Sequence, residues 1–166
     1  MTPQEAKVML VAGEPSGDRL GASLISALKR RLVGATYIGV GGTAMAAEGL
    51  KSALPISDLS VMGLLEVVPR IPKLAGHIRN IANLARQERP DVLVTIDAPG
   101  FNFRLARRLV DTNIPRVHYV APSVWAWKPS RAKKIAPLFD HLLALLPFEP
   151  PYFNAVGLPT TFVGHP

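Results

Sequence analysis

One feature limits most strongly what this chain can fold into: short apolar runs closed by glycine or proline alternate with longer segments spaced for helices. The run Val-Met-Leu-Val-Ala at 8–12 closes on Gly13, and Tyr-Ile-Gly-Val at 37–40 closes on Gly41 and Gly42. Val-Leu-Val-Thr-Ile at 92–96 closes on Asp97-Ala98-Pro99-Gly100. Unbroken apolar runs of this length suit strands buried on both faces of a parallel sheet. Similar strands are expected at 117–120, 142–145 and 160–163. Between them, residues 20–32 set Leu20, Leu24, Ala27 and Leu28 at helical spacing, with Lys29, Arg30 and Arg31 in the last turn where cations suit the helix dipole. A short helix at 45–48 stops at Gly49. Ile71, Leu74, Ala75, Ile78, Ile81, Ala82 and Ala85 form one face of a longer helix, with Pro69 and Pro72 at its entry and first turn and His77 on its solvent side. Helices are also expected at 101–110, 131–136 and 149–155. This alternation predicts a doubly wound α/β fold around a parallel sheet with right-handed crossovers.

Composition narrows the setting. With 166 residues, 48% of them hydrophobic, the chain can bury the core of one ordinary domain. The absence of cysteine excludes disulfides, thiolate metal sites and a cysteine nucleophile. No basic segment precedes the run at 8–12, and no apolar stretch is long enough to span a bilayer, so a cytoplasmic location is expected. The net charge of +7 points to anionic partners: nucleic acid, phosphorylated ligands or an anionic membrane face. A plain solvated basic surface accounts for it equally well.

In open α/β sheets, ligands sit beyond the carboxyl ends of the strands, where three loops of this chain fall. The first is Gly-Glu-Pro-Ser-Gly-Asp, with Gly13, Glu14, Ser16, Gly17 and Asp18. Its glycines allow close approach of a ligand, and the following helix start offers free N–H groups. Its spacing fits neither a dinucleotide fingerprint nor a P-loop, and a tight turn capped by Ser16 or Asp18 is the competing reading. The second holds Asp97 and Asn102; a carboxylate at the end of a buried strand suits a general base, or simply holds the turn. The third runs through Ser123, Trp125, Trp127 and Lys128 to Arg131, Lys133 and Lys134. Both tryptophans beside cations suit single-stranded nucleic acid, an anionic interface or a phosphorylated sugar, or else a core tryptophan next to a basic helix. His118 reads as a hydrogen-bonded structural histidine, Asp91 lies at the opposite end of its strand, and nothing suggests a metal cluster. Met62, Leu64, Leu65 and Val68, followed by Arg70 and Lys73, resemble an interfacial element or a buried connector.

Taken in order, the strings converge. Gly-Glu-Pro-Ser-Gly-Asp (13–18), Gly-Gly-x-x-Met (41–45) and Val-Met-Gly-x-x-Glu-Val (61–67) precede Ile-Asp-Ala-Pro-Gly-Phe-Asn (96–102). His-Tyr-Val-Ala-Pro-Ser-Val-Trp-Ala-Trp (118–127), Leu-Pro-Phe-Glu (146–149) and Phe-Val-Gly-His-Pro (162–166) follow. In this order they closely resemble the lipid-A-disaccharide synthases over nearly the whole chain. Gly100 departs from the pattern, standing where the family often has Asp. The resemblance implies the Rossmann-like amino-terminal half of a GT-B fold, with 1–166 as the acceptor and membrane-side domain and the nucleotide-sugar domain absent. It implies a hexosyltransferase that condenses UDP-2,3-diacylglucosamine with 2,3-diacylglucosamine 1-phosphate, peripheral on the anionic inner membrane, with no cofactor, no metal and no nucleic acid. Self-association is left open. Asp97 is the first choice for the base and Glu14 the second. Substrate contacts are expected from Gly13, Ser16, Gly17, Asp18, Asn102, Ser123, Trp125 and Trp127, and membrane contacts from Met62, Leu64, Leu65, Val68, Arg70 and Lys73. The alternative is a module that binds acyl sugar or membrane without turnover; a nucleic-acid-binding role lacks any helix-turn-helix, RRM or OB pattern.

Overall fold

The computed structural model describes residues 5–60, 64–124, 128 and 130–166, the side chains of 64–68 excepted. Seven strands form one sheet: β1 (Lys7–Ala12), β2 (Thr36–Val40), β3 (Lys51–Ser52), β4 (Val92–Ile96), β5 (Arg116–Tyr119), β6 (His141–Ala144) and β7 (Thr160–Phe162). Their order is β3-β2-β1-β4-β5-β6-β7, and every pairing is parallel. The winding reverses between β1 and β4, which pair from Val8 with Val92 to Ala12 with Ile96. Such a reversal opens a crevice at the carboxyl ends of the two strands.

Helices α1 (Pro15–Lys29), α2 (Thr43–Ala47), α3 (Leu64–Glu88), α4 (Pro99–Arg107), α5 (Arg131–Ile135) and α6 (Pro150–Asn154) make the crossovers. Because side chains alternate along a strand, each apolar run feeds two cores. Met9, Val11 and Leu93 pack with Ile78, Ile81, Ala82 and Ala85 of α3 and with Phe101 and Leu105 of α4. Val8, Leu10, Ala12, Val94 and Ile96 pack on the other face with Leu20 and Ile25 of α1 and Met45 of α2. A third cluster joins Ile135, Leu138, Leu142 and Phe153.

Several boundaries differ from the sequence expectation. The first helix begins at Pro15 rather than Leu20, because Pro15 occupies the first turn, where its missing N–H is no loss, and it ends at Lys29, leaving Leu32 exposed. The long helix begins at Leu64, so Pro69 and Pro72 lie inside it rather than at its entry. Both prolines are exposed, and each removes one hydrogen bond from the helix ladder. Its expected apolar face is also narrower, since Ile71 is 53% exposed while Ile78, Ile81, Ala82 and Ala85 are buried. His77 is not a free surface group; it is half-buried, with Nε2 3.8 Å from Asp58 Oδ2. The two-residue β3 and a 3-10 turn at Ile56–Asp58 carry no apolar period of their own and were invisible to that pattern.

Candidate active site

The loops 13–18, 97–102 and 120–124 follow parallel strands and therefore share the carboxyl edge of the sheet. They also touch. A Cβ placed on Gly13 would lie 2.8 Å from the Cβ of Ala98, so only glycine allows the first two loops to close on each other. The carbonyl of Gly13 accepts a hydrogen bond of 2.8 Å from Ser60 Oγ.

The turn after β4 is unusual. Asp97 and Ala98 both take left-handed conformations, with φ of 48° and 42°. Residues other than glycine rarely do so, and side chains held this way cluster at functional sites. Buried Asn102 of α4 fixes the turn: its Nδ2 donates to the carbonyls of Asp97 at 2.8 Å, Ile96 at 3.1 Å and Val11 at 3.4 Å. Its Oδ1 has no hydrogen-bond partner among the described residues. The Asp97 N–H donates to the Tyr119 carbonyl at 2.9 Å, which ties the turn to β5. Val120, just after β5, has a φ of 81°, the third such residue at this edge.

These turns enclose a cavity of about 250 Å³ lined by Asp97, His118, Val120, Ser123 and Arg131 among others. Asp97 is half-buried, while Ser123 and Arg131 are exposed at the rim. His118 is 1% exposed; its Nδ1 lies 2.7 Å from Thr95 Oγ1, and its ring stacks on Phe139 with centroids 4.9 Å apart. Burial pushes its pKa down to about 3, so it is neutral at ordinary pH. The cavity thus combines a carboxylate able to accept a proton, a hydroxyl, a guanidinium and a neutral imidazole.

Glu14 and Ser16 are exposed at the same edge, and Glu14 stands at the helix N-cap without a side-chain capping bond. Gly17 is buried against Ala12 and Ile96. Asp18 caps a different helix from the one it sits on. Its carboxylate, 6% exposed, accepts N–H bonds from Gly42 at 2.8 Å, Met45 at 3.0 Å and Ala44 at 3.0 Å, gathering the start of α2 onto α1. Trp125, Trp127 and Met62 lie outside the described residues, as do the side chains of Leu64, Leu65 and Val68. Arg70 and Lys73 are exposed, and Lys73 Nζ is 3.4 Å from Asp58 Oδ1. Asp91 accepts the Lys7 N–H at 2.8 Å at the far edge, a structural role. Among the described residues there is no group of three or more His, Asp or Glu able to hold a metal, and no helix long and apolar enough to cross a membrane. Sequence reasoning did not single out Thr95 or Val120. Thr95 could have been flagged as the polar residue in an otherwise apolar strand.

A seven-stranded parallel sheet of this winding, with its polar cavity at the carboxyl edge, defines a Rossmann-like half of the GT-B type. Its backbone resembles that of UDP-GlcNAc 2-epimerase from Neisseria meningitidis, with a TM-score of 0.58 at 11% identity over 93% of this chain and 43% of that one, a likeness of fold alone. A family model for Lipid-A-disaccharide synthetase matches residues 8–166, and the chain belongs to that family. It is 52% identical over 162 residues to the lipid-A-disaccharide synthase of Rhodospirillum centenum, covering 96% of this chain and 40% of the relative. It is 53% identical over 164 residues to that of Rhodopseudomonas palustris strain BisB18, covering 96% and 41%. The chain therefore spans about two fifths of the length of the curated relatives it matches.

Proposed function

We propose that this chain is the acceptor and membrane-side half of a glycosyltransferase that joins UDP-2,3-diacylglucosamine to 2,3-diacylglucosamine 1-phosphate, giving lipid A disaccharide 1-phosphate and UDP. The observation that carries the proposal is the cavity in which Asp97 stands beside Ser123 and Arg131, in a chain of this family. The acceptor 6-hydroxyl attacks the donor anomeric carbon as the bond from that carbon to the diphosphate breaks. UDP departs with the electron pair and the configuration inverts. The hydroxyl proton passes to the carboxylate of Asp97, whose backbone turn Asn102 fixes through the Asp97 carbonyl. Arg131 at the rim suits the acceptor phosphate. Neutral His118 offers a hydrogen bond without adding charge. Glu14 is the second choice for the base. Gly13 and Gly17 let the loop pack closely on Ala98, Ala12 and Ile96, which leaves exposed Ser16 to meet the substrate. Asp18 and Asn102 serve the substrate by fixing the loops that surround it. Trp125 and Trp127 are assigned to the substrate, as aromatic surfaces for the sugar.

We place the protein on the cytoplasmic face of the inner membrane, held through Met62, Leu64, Leu65 and Val68 with Arg70 and Lys73 at the anionic surface. Exposure of Arg70, Ile71 and Lys73 supports this.

The test is Asp97→Asn in the chain joined to the carboxy-terminal remainder of a curated relative. The amide keeps size and loses the base, so kcat should fall roughly 10²-fold or more with KM little changed. Near wild-type turnover in Asp97→Asn with abolition in Glu14→Gln would exchange the two roles. Full turnover in both would move the base out of this domain.

A further inference from the structure

A second cavity opens at the same edge, on the other side of the loop 13–18, and the reaction does not use it. It measures about 680 Å³, lies between the start of α2 and the segment 52–57, and is lined by Ala46, Ala53, Leu54, Pro55 and Ile56 with Pro15 at its mouth. That volume lies within the ~300–1,000 Å³ usual for small-molecule sites.

Two of its polar side chains are already partnered, and the hydroxyls of Thr43 and Ser57 complete its polar lining. Asp18 lines it, but both carboxylate oxygens are taken by the N–H groups of Gly42, Ala44 and Met45. Ser52 Oγ is bonded to Gly41 and to the Leu54 carbonyl. A ligand entering there meets hydrocarbon and finds few free donors or acceptors, a setting that rewards an apolar chain and penalises a polar head. The loop 13–18 is a wall common to both cavities: Gly13 packs on Ala98 beside the polar one, and Pro15 and Asp18 line the apolar one. The lining segment also precedes in the chain the helix that carries Arg70 and Lys73.

We infer that the cavity between α2 and the segment 52–57 holds one acyl chain of the sugar whose polar part occupies the Asp97 cavity. The inference rests on the reading of the substrate given above. A chain entering from the membrane side would pass Leu54 and Ile56, and the sugar to which it is bonded would reach across the loop 13–18.

The experiment measures binding to this chain of three probes: glucosamine 1-phosphate, its 2,3-dihexanoyl derivative and its 2,3-didodecanoyl derivative. Wild type is compared with the Ala46→Trp, Ala53→Trp double variant and with Ala46→Asp. Both positions are exposed, so the substitutions obstruct or charge the cavity without unpacking the core, and thermal melts check that the fold is kept. Burial of even a few methylenes should let wild type prefer the long-chain probe by roughly 10-fold or more. The expected result is that both variants lose this preference while binding glucosamine 1-phosphate as wild type does. A preference that survives in both variants would place the chains elsewhere and overturn the inference. Loss of glucosamine 1-phosphate binding in the variants would also overturn it, since the cavity would then serve the head group. If wild type does not bind glucosamine 1-phosphate but the variants still abolish long-chain binding, the reading of the Asp97 cavity fails and the apolar site stands.

Discussion

Replacing Asp18 by alanine removes the group that fastens the first helix to the second. The carboxylate accepts N–H bonds of 2.8, 3.0 and 3.0 Å, and the residue is 6% exposed. Hydrogen bonds to a charged acceptor contribute roughly 1.5 kcal/mol or more each, so loss of all of them approaches ~4–5 kcal/mol. Gly42 and Ala44 are only half-buried, and water drawn in beside the adjacent cavity restores part of this. The net loss should be about 2–4 kcal/mol, against a total of ~5–15 kcal/mol for a domain of this size. In calorimetry that is a fall in Tm of about 5–15 °C. Asp18→Asn should fall between the two, because Gly42 and Met45 share Oδ1 and can keep an amide oxygen, while the N–H of Ala44 would face an amide donor. Urea denaturation of Asp18→Ala within ~0.5 kcal/mol of wild type would refute the reasoning, showing that water replaces the carboxylate at no cost.

His118 should make the fold sensitive to acid. Its folded pKa, about 3, lies below the ordinary value of about 6.5, so the unfolded chain binds the proton more readily between those limits. Stability from this residue is fully present above about pH 6.5 and falls as pH drops toward 3, by at most ~1.4 kcal/mol per unit. Denaturation midpoints from neutral pH down to about pH 5 should slope less steeply in His118→Gln, and equal slopes would remove the histidine from the account. Arg70→Glu with Lys73→Glu should reduce cosedimentation with anionic vesicles roughly 10-fold or more, since each surface cation contributes ~1 kcal/mol. Binding that ignores both the charge reversal and added salt would exclude that surface.

The central architecture was legible because β1 and β4 are almost wholly apolar runs, and such runs have few places to go except the middle of a parallel sheet. The edge on which Glu14, Asp97 and Ser123 meet followed from that alone. What escaped the sequence was the identity of partners. Asp18 looks like a cap for the helix it begins, yet its oxygens turn to residues 24 to 27 positions later. Asn102 looks like a substrate contact, yet its amide holds the carbonyls of its own turn and of β1. Both choices are set by tertiary approach, which no local pattern encodes. The apolar cavity was missed for a related reason: its walls come from a two-residue strand and a 3-10 turn, elements too short to leave a period.

The pairing of β1 with β4 has a consequence for how the chain acquires its structure. The first strand finds one neighbour in β2 soon after, but its other neighbour is contributed by residues about 84 positions further on, the separation at which Lys7 meets Asp91. Contacts so distant along the chain close slowly, because a long loop must be ordered before any of them forms. During synthesis, Met9 and Val11 are exposed to water until the long helix and Val92–Ile96 have emerged. A nascent chain halted before that strand lacks the whole of the third cluster and has an unpaired edge at its centre, the condition in which parallel sheets aggregate or engage chaperones. The first strand thus gains its second neighbour only after the long helix and Val92–Ile96 have followed it.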